Sequence, residues 1–210
     1  MSTPAAPQAS GRPRAIAINC TLKATGKSST DAMIAVLKEH FAKCDVEMSD
    51  TIRIAAHDVK PGVTSDEGAG DGWPKIREAI LAHDILVFGT PIWMGQISSV
   101  AKGVLERMDA FLSETDDAGR MPSYSKVAVA AIVGNEDGAH WASSQLFQSL
   151  NDTGWTIPAV AACYWVGEAM GEVDFKDLPH RPRKVQQTAA MVAANAAHLA
   201  GMLKLSPYPG

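Results

Sequence analysis

Two apolar runs constrain the fold of this chain more than any other feature. Ile85-Leu86-Val87-Phe88 and Val127-Ala128-Val129-Ala130-Ala131-Ile132-Val133 contain no polar residue. A strand with one face in water alternates apolar and polar positions. A strand with no polar position must be covered on both faces, as in a parallel sheet layered between helices. The rest of the chain supplies those layers. Strand-like runs at Ala15–Asn19, Val46–Ile54, Asp84–Gly89, Lys126–Val133 and Thr156–Tyr164 alternate with helical patterns. This alternation predicts an α/β fold with a parallel sheet. Val46–Ile54 mixes polar with apolar positions and is expected nearer an edge.

Apolar spacing predicts five helices. The first covers Ser29–Lys43, with Met33, Ile34, Leu37 and Phe41 on one side. The second begins near Pro74, a residue suited to a first helical position, and ends near His83. The third begins at Ser98 or Ser99, both good N-caps, and carries Val100, Val104, Met108 and Phe111 on one stripe. The fourth covers His140–Leu150, with Gly154 helping to end it. The last runs from Pro182 to about Leu203. Its alanines permit close approach to the sheet or to a partner subunit. The segments His57–Trp73, Thr115–Ser125 and Val166–Arg181 hold too much Gly, Pro and Asp to build a second core. Residues 14–205 are therefore expected to form one doubly wound, flavodoxin-like domain. Its five parallel strands should run in the order 2-1-3-4-5, with helices on both faces. The small, polar, Pro- and Ala-rich residues 1–13 are expected to be a disordered tail.

Composition narrows the function. A net charge of -4 and a pI of about 5.8 give no support to nucleic-acid binding. No apolar run approaches the roughly 20 residues of a membrane span. The first thirteen residues lack the apolar core of a signal peptide, so a cytoplasmic location is expected. Cys20, Cys44 and Cys163 form no CxxC pair and read as reduced thiols. The six histidines are scattered, and no metal site is proposed.

In a 2-1-3-4-5 sheet, ligands bind at the carboxyl ends of the strands, near the switch between the first and third. The loops after strands one, three and four should therefore share one chemistry. The first loop offers Thr21, Lys23, Ser28, Ser29 and Thr30 just before a helix begins. Hydroxyls, an ammonium and the positive end of a helix dipole suit a phosphate. The second, Thr90–Gln96, presents Pro91, Ile92, Trp93, Met94 and Gly95. A flat, mostly apolar ring fits such a surface, and backbone groups can meet its polar edge. The third holds Gly134, Asn135, Glu136, Asp137 and Gly138, and then His140. Its glycines let the backbone approach a ligand. Glu136 and Asp137 are expected to help cap the following helix. His140 reads equally as a surface residue or as one lying over the ring. Trp73, Trp141, Trp155 and Trp165 read as core or interface residues. Together the three loops describe a flavin mononucleotide (FMN) site. A phosphate loop of the hydrolase type would need glycine at position 21, where Thr21 stands.

These motifs, in this order, resemble the flavodoxin-like NAD(P)H-dependent FMN reductases. Thr21 and Lys23 match the family's Gly-Ser-x-Arg, with Cys20 in place of the first glycine. Ser28, Ser29 and Thr30 match its later polar positions. Gly89-Thr90-Pro91-Ile92-Trp93, then Lys102 and Arg107-Met108-Asp109, are similar to its second motif. Gly134–His140 is similar to its glycine-rich third loop. The iron–sulfur branch of the family needs cysteines between strands two and three, and Ala55–His83 has none. The resemblance implies FMN as cofactor and NADPH or NADH as reductant. Hydride would pass to flavin N5, and electrons would then pass to a small acceptor in ping-pong turnover. A backbone N–H near Met94–Gly95 is expected to tune N5. The resemblance also implies a homodimer or homotetramer, for which Val166–Arg181 and the last helix are the candidate contacts. The alternative is a flavodoxin-like electron carrier, although such carriers are usually far more acidic than this chain.

Overall fold

The computed structural model describes residues 11–210, so residues 1–10 of the expected tail lie outside the described residues. The central strands are β1 (Arg14–Asn19), β4 (Ile85–Trp93), β6 (Val127–Gly134) and β7 (Ala162–Val166). Two short pieces, β2 (Glu47–Met48) and β3 (Ile52–Arg53), both pair with β1. A third, β5 (Gln96–Ile97), folds back on β4. The order is β2-β1-β4-β6-β7 and all these pairings are parallel. With β2 and β3 counted as one interrupted strand, this is the expected five-stranded 2-1-3-4-5 arrangement.

The period-two geometry of a strand explains the layering. Ala15, Ala17, Ile85, Val87, Val127, Val129 and Ala131 face one way. They pack with Met33, Leu37 and Phe41 of α1 (Ser29–Lys43) and with Ala189, Ala193, Ala196 and Ala200 of α5 (Arg183–Leu205). The α5 alanines therefore serve close packing against this layer. Ile16, Ile18, Leu86, Phe88, Ala128, Ala130 and Ile132 face the other way. They meet α2 (Trp73–Leu81), α3 (Ser99–Met108) and α4 (Ala139–Asp152). Every residue of both apolar runs is fully buried or nearly so.

Three segments depart from the sequence reading. Val46–Ile54 is two two-residue pairings rather than one strand. Its middle is polar, and the Ser49 hydroxyl bonds the His83 ring at 2.7 Å. Thr156–Tyr164 shrinks to a bridge at Thr156 and then β7, because Pro158 lacks an N–H and Val160 takes a positive φ of 55°. The third concerns Thr90–Gln96, which is not a loop. β4 runs on through Trp93, turns at Met94–Gly95 and returns as β5. β1 has already ended opposite Gly89, so Pro91 stands where the strand has lost one neighbour.

Candidate active site

The carboxyl ends of β1, β4 and β6 surround a cleft of about 410 Å³. That volume lies within the range of small-ligand sites. One end is built by the segment between β1 and α1. Asn19, fully buried at the end of β1, ties that segment at both ends. Its Oδ1 accepts the Thr21 N–H at 2.9 Å, and its Nδ2 donates to Ser28 Oγ at 3.2 Å and to Asp31. Ser28 is the N-cap of α1, accepting the Asp31 N–H at 3.1 Å. From the neighbouring strand, Arg53 pairs with Asp31 and donates to the Gly26 carbonyl at 2.7 Å. The sequence reading singled out neither Asn19 nor Arg53, because their role depends on contacts across the sheet.

This scaffold turns Thr21, Lys23, Lys27, Ser28, Ser29 and Thr30 toward the cleft. Among the described residues, the Ser29 and Thr30 N–H groups donate to no protein acceptor. Free donors at a helix start, with two ammonium groups beside them, are the chemistry of a phosphate site. Cys20 takes no part. It is fully buried and its thiol is pushed far above its ordinary pKa, which makes it an inert core residue.

The other end is apolar. Pro91, Ile92 and a half-exposed Trp93 form one wall. Val133, Gly134, Asn135 and Glu136, at the end of the neighbouring strand, form the adjoining one. A Cβ on Gly134 would lie 2.8 Å from Ile92 Cβ, so glycine there lets the two walls meet. Trp165, Met170, Asp174 and Lys176 complete the cleft. Sequence reasoning assigned Trp165 to the core or an interface and left Met170, Asp174 and Lys176 in an irregular segment. That segment is tied to the site along its length. Gly167 N–H donates to Gly134 O at 2.8 Å, and Asn135 Nδ2 donates to Asp174 Oδ1 at 3.0 Å. The Lys176 N–H donates to Ser29 Oγ at 3.3 Å. Val166–Arg181, read as a candidate subunit contact, thus contributes a wall of the cleft.

Five expected site residues stand outside the cleft lining. Met94 is 88% exposed at the hairpin tip, with Gly95 beside it. Their N–H groups are not free for a ligand, because the Glu136 carboxylate accepts both, at 3.0 and 2.9 Å. Neither Glu136 nor Asp137 caps α4, whose N-cap is Gly138 with no side-chain cap. Gly138 has a structural task. A Cβ there would lie 2.4 Å from Gly95 O, so only glycine lets the hairpin tip and this loop touch. His140 does not line the cleft and pairs with Tyr164, ring nitrogen to hydroxyl at 3.1 Å.

Residues 13–169 match the family described as NADPH-dependent FMN reductase. The chain belongs to this family. It is therefore an oxidoreductase whose cofactor is FMN. Met170, Asp174 and Lys176 lie beyond the family-matched residues. A curated relative from Streptomyces davaonensis, 8-demethyl-8-aminoriboflavin-5'-phosphate synthase, is 31% identical over 206 residues, covering 93% of this chain and 80% of that one. The solved structure of RosB with bound 8-demethyl-8-formylriboflavin-5'-phosphate superposes with a TM-score of 0.84 at 30% identity, covering 94% and 82% of the two chains. An archaeal flavodoxin shares the fold at a TM-score of 0.55 and 12% identity, covering 89% and 98%. A part of the MntH divalent metal cation transporter of Mycobacterium bovis is also similar, 37% over 165 residues. That match spans 74% of this chain and 23% of the transporter. No helix among the described residues here is long and apolar enough to cross a membrane.

Proposed function

We propose that residues 14–205 act as one FMN-binding domain and that the cleft binds FMN in a defined direction. Thr21, Lys23, Lys27 and Ser28–Thr30 would hold the phosphate. The walls at Pro91–Trp93 and Val133–Glu136 would hold the ring. The observation that carries this reading is the division of one cleft into a cationic, hydroxyl-rich end and an apolar end at the topological switch of the sheet. FMN, when bound, supplies hydride acceptance from a reduced nicotinamide and onward electron transfer, which the protein's own side chains cannot provide. The protein's contribution is binding and orientation. The rim at Trp93 and Met170, 53% and 95% exposed, leaves a face open for nicotinamide and a small acceptor to use in turn. This supports ping-pong turnover.

The test is the visible spectrum of purified protein mixed with FMN, desalted, and then given NADPH or NADH without oxygen. Flavin bands should survive desalting and bleach on addition of one of the nucleotides. Bands that survive both nucleotides unbleached would replace this reading with the electron carrier. Loss of the bands on desalting would remove FMN from the cleft.

A second reading is favoured by the likeness to the aminoriboflavin-phosphate synthase across 93% of this chain. In it the flavin phosphate is the substrate and leaves altered. Mass spectrometry of the flavin recovered after incubation separates the two, since a reductase returns FMN of unchanged mass.

We further propose a homo-oligomer. Trp93 and Met170 in the cleft lining, and Met94 at the hairpin tip, are exposed apolar side chains. Light scattering at micromolar concentration should give at least twice the 22.2 kDa chain mass. A monomer would remove this part of the proposal.

A further inference from the structure

The hairpin tip beside the cleft is held by an unusual device. Trp93 pairs with Gln96 and Ile92 with Ile97, so Met94 and Gly95 alone make the turn. Both have positive φ, 53° and 75°. A two-residue turn of that kind matches strand twist but favours Asn or Gly at its first position. Methionine has no side-chain group to offset the left-handed backbone, so Met94 is strained. In such a turn both central N–H groups point away from the ladder. Here the two oxygens of Glu136 accept one each, at 3.0 and 2.9 Å. This is a charge-assisted, two-point clamp across 41 and 42 residues of sequence. The Gly95–Gly138 backbone contact lies alongside it. Glu136 also lines the cleft at the end where the walls are apolar, as does Trp93 of the clamped hairpin.

Two consequences follow from one side chain. The clamp fixes Trp93, the last residue before the turn, as a wall. It also places a carboxylate at the apolar end of the cleft, close enough to the ring walls for its charge to act on a bound ring. We propose that Glu136 is a positioning residue that holds the Met94–Gly95 turn in its strained conformation and, through its charge, lowers the reduction potential of the bound flavin. The electrostatic half rests on the FMN reading above; the clamp half does not. Reduction adds negative charge to the ring, and a nearby carboxylate opposes it. By linkage, the wild-type protein binds reduced FMN relatively less tightly than a neutral variant does.

The experiment compares wild type, Glu136→Gln and Glu136→Ala. Glu136→Gln keeps the shape and one acceptor oxygen but removes the charge. Its two-electron midpoint potential with FMN bound should be more positive than wild type. Equivalently, its affinity for reduced FMN should rise more than its affinity for oxidised FMN. An unchanged potential, with FMN bound to both proteins, overturns the electrostatic half. Glu136→Ala releases both N–H groups. Amide hydrogen exchange at Met94 and Gly95, read on flavin-free protein, should then speed up by tenfold or more relative to wild type. Unchanged exchange overturns the clamp. Failure of wild type to retain FMN would instead count against the parent reading, while the exchange measurement would still decide the clamp.

Discussion

Replacing Arg107 with methionine should destabilise the protein by about 3–5 kcal/mol at neutral pH. Arg107 and Asp71 form an ion pair at 2.6 Å, and both side chains are fully buried. The guanidinium also donates to Thr64 O at 2.9 Å and Lys60 O at 2.8 Å, and it lies over the Trp73 ring at 5.8 Å. It therefore pins the irregular 57–73 segment to α3. Burial alone would push the Asp71 carboxyl up. The Arg107 guanidinium and the N–H groups of Glu67, Trp73 and Lys60 outweigh that and hold it well below the usual carboxylate range. Losing Arg107 strands a buried carboxylate. The sign with pH follows. In wild type, the Asp71 contribution is complete above the unfolded value near pH 4 and fades as pH falls toward the lower folded value. In Arg107→Met, protonation relieves the stranded charge. Urea titrations should thus show the gap between the two proteins narrowing as pH falls from 7 toward about 4. A loss below about 1 kcal/mol, the level expected for the exposed Arg181–Glu39 pair, would refute the assignment.

Asn19→Ala should have the second largest effect, on stability and on binding together. The Asn19 amide joins the Thr21 N–H to Ser28 and Asp31, and so sets the shape of the whole β1–α1 segment. Removing it leaves the buried Thr21 N–H unpaired, a loss of about 1–3 kcal/mol. On the proposed reading, FMN affinity should fall tenfold or more, or at least about 1.4 kcal/mol. Riboflavin, which has no phosphate, should lose much less. Fluorescence titration with both flavins gives the comparison. Equal losses for the two would mean that this segment does not hold the phosphate.

Much of the fold was legible because the strand and helix periods are written locally. The pure apolar runs at 85–88 and 127–133 demanded burial on two faces, and the odd and even residues of each do pack on opposite layers. Helix starts were legible where a cap is a short-range hydrogen bond, as at Ser28 and Ser98. The Thr90–Gln96 stretch misled because Pro91 and Gly95 are turn signals in any local reading. That β1 ends opposite Gly89, allowing a proline in β4, is a property of the sheet. The capping role expected of Glu136 and Asp137 failed for a related reason. A polar residue before a helix looks like a cap, yet the nearest free N–H groups to Glu136 belonged to a hairpin 41 residues earlier.

Local chemistry along the chain determined the α/β class and marked the three segments expected to hold a phosphorylated, ring-bearing ligand. Those follow from hydrophobic period and residue type, which act over a few residues. Tertiary structure alone decided which groups are spent within the protein and which remain for a ligand. It committed the Met94 and Gly95 N–H groups to Glu136 and His140 to Tyr164. It left the Ser29 and Thr30 N–H groups free, and it brought Trp165, Asp174 and Lys176 into the cleft. A hydrogen bond depends on distances of a few tenths of an ångström between residues far apart in sequence, and only the folded packing sets those distances.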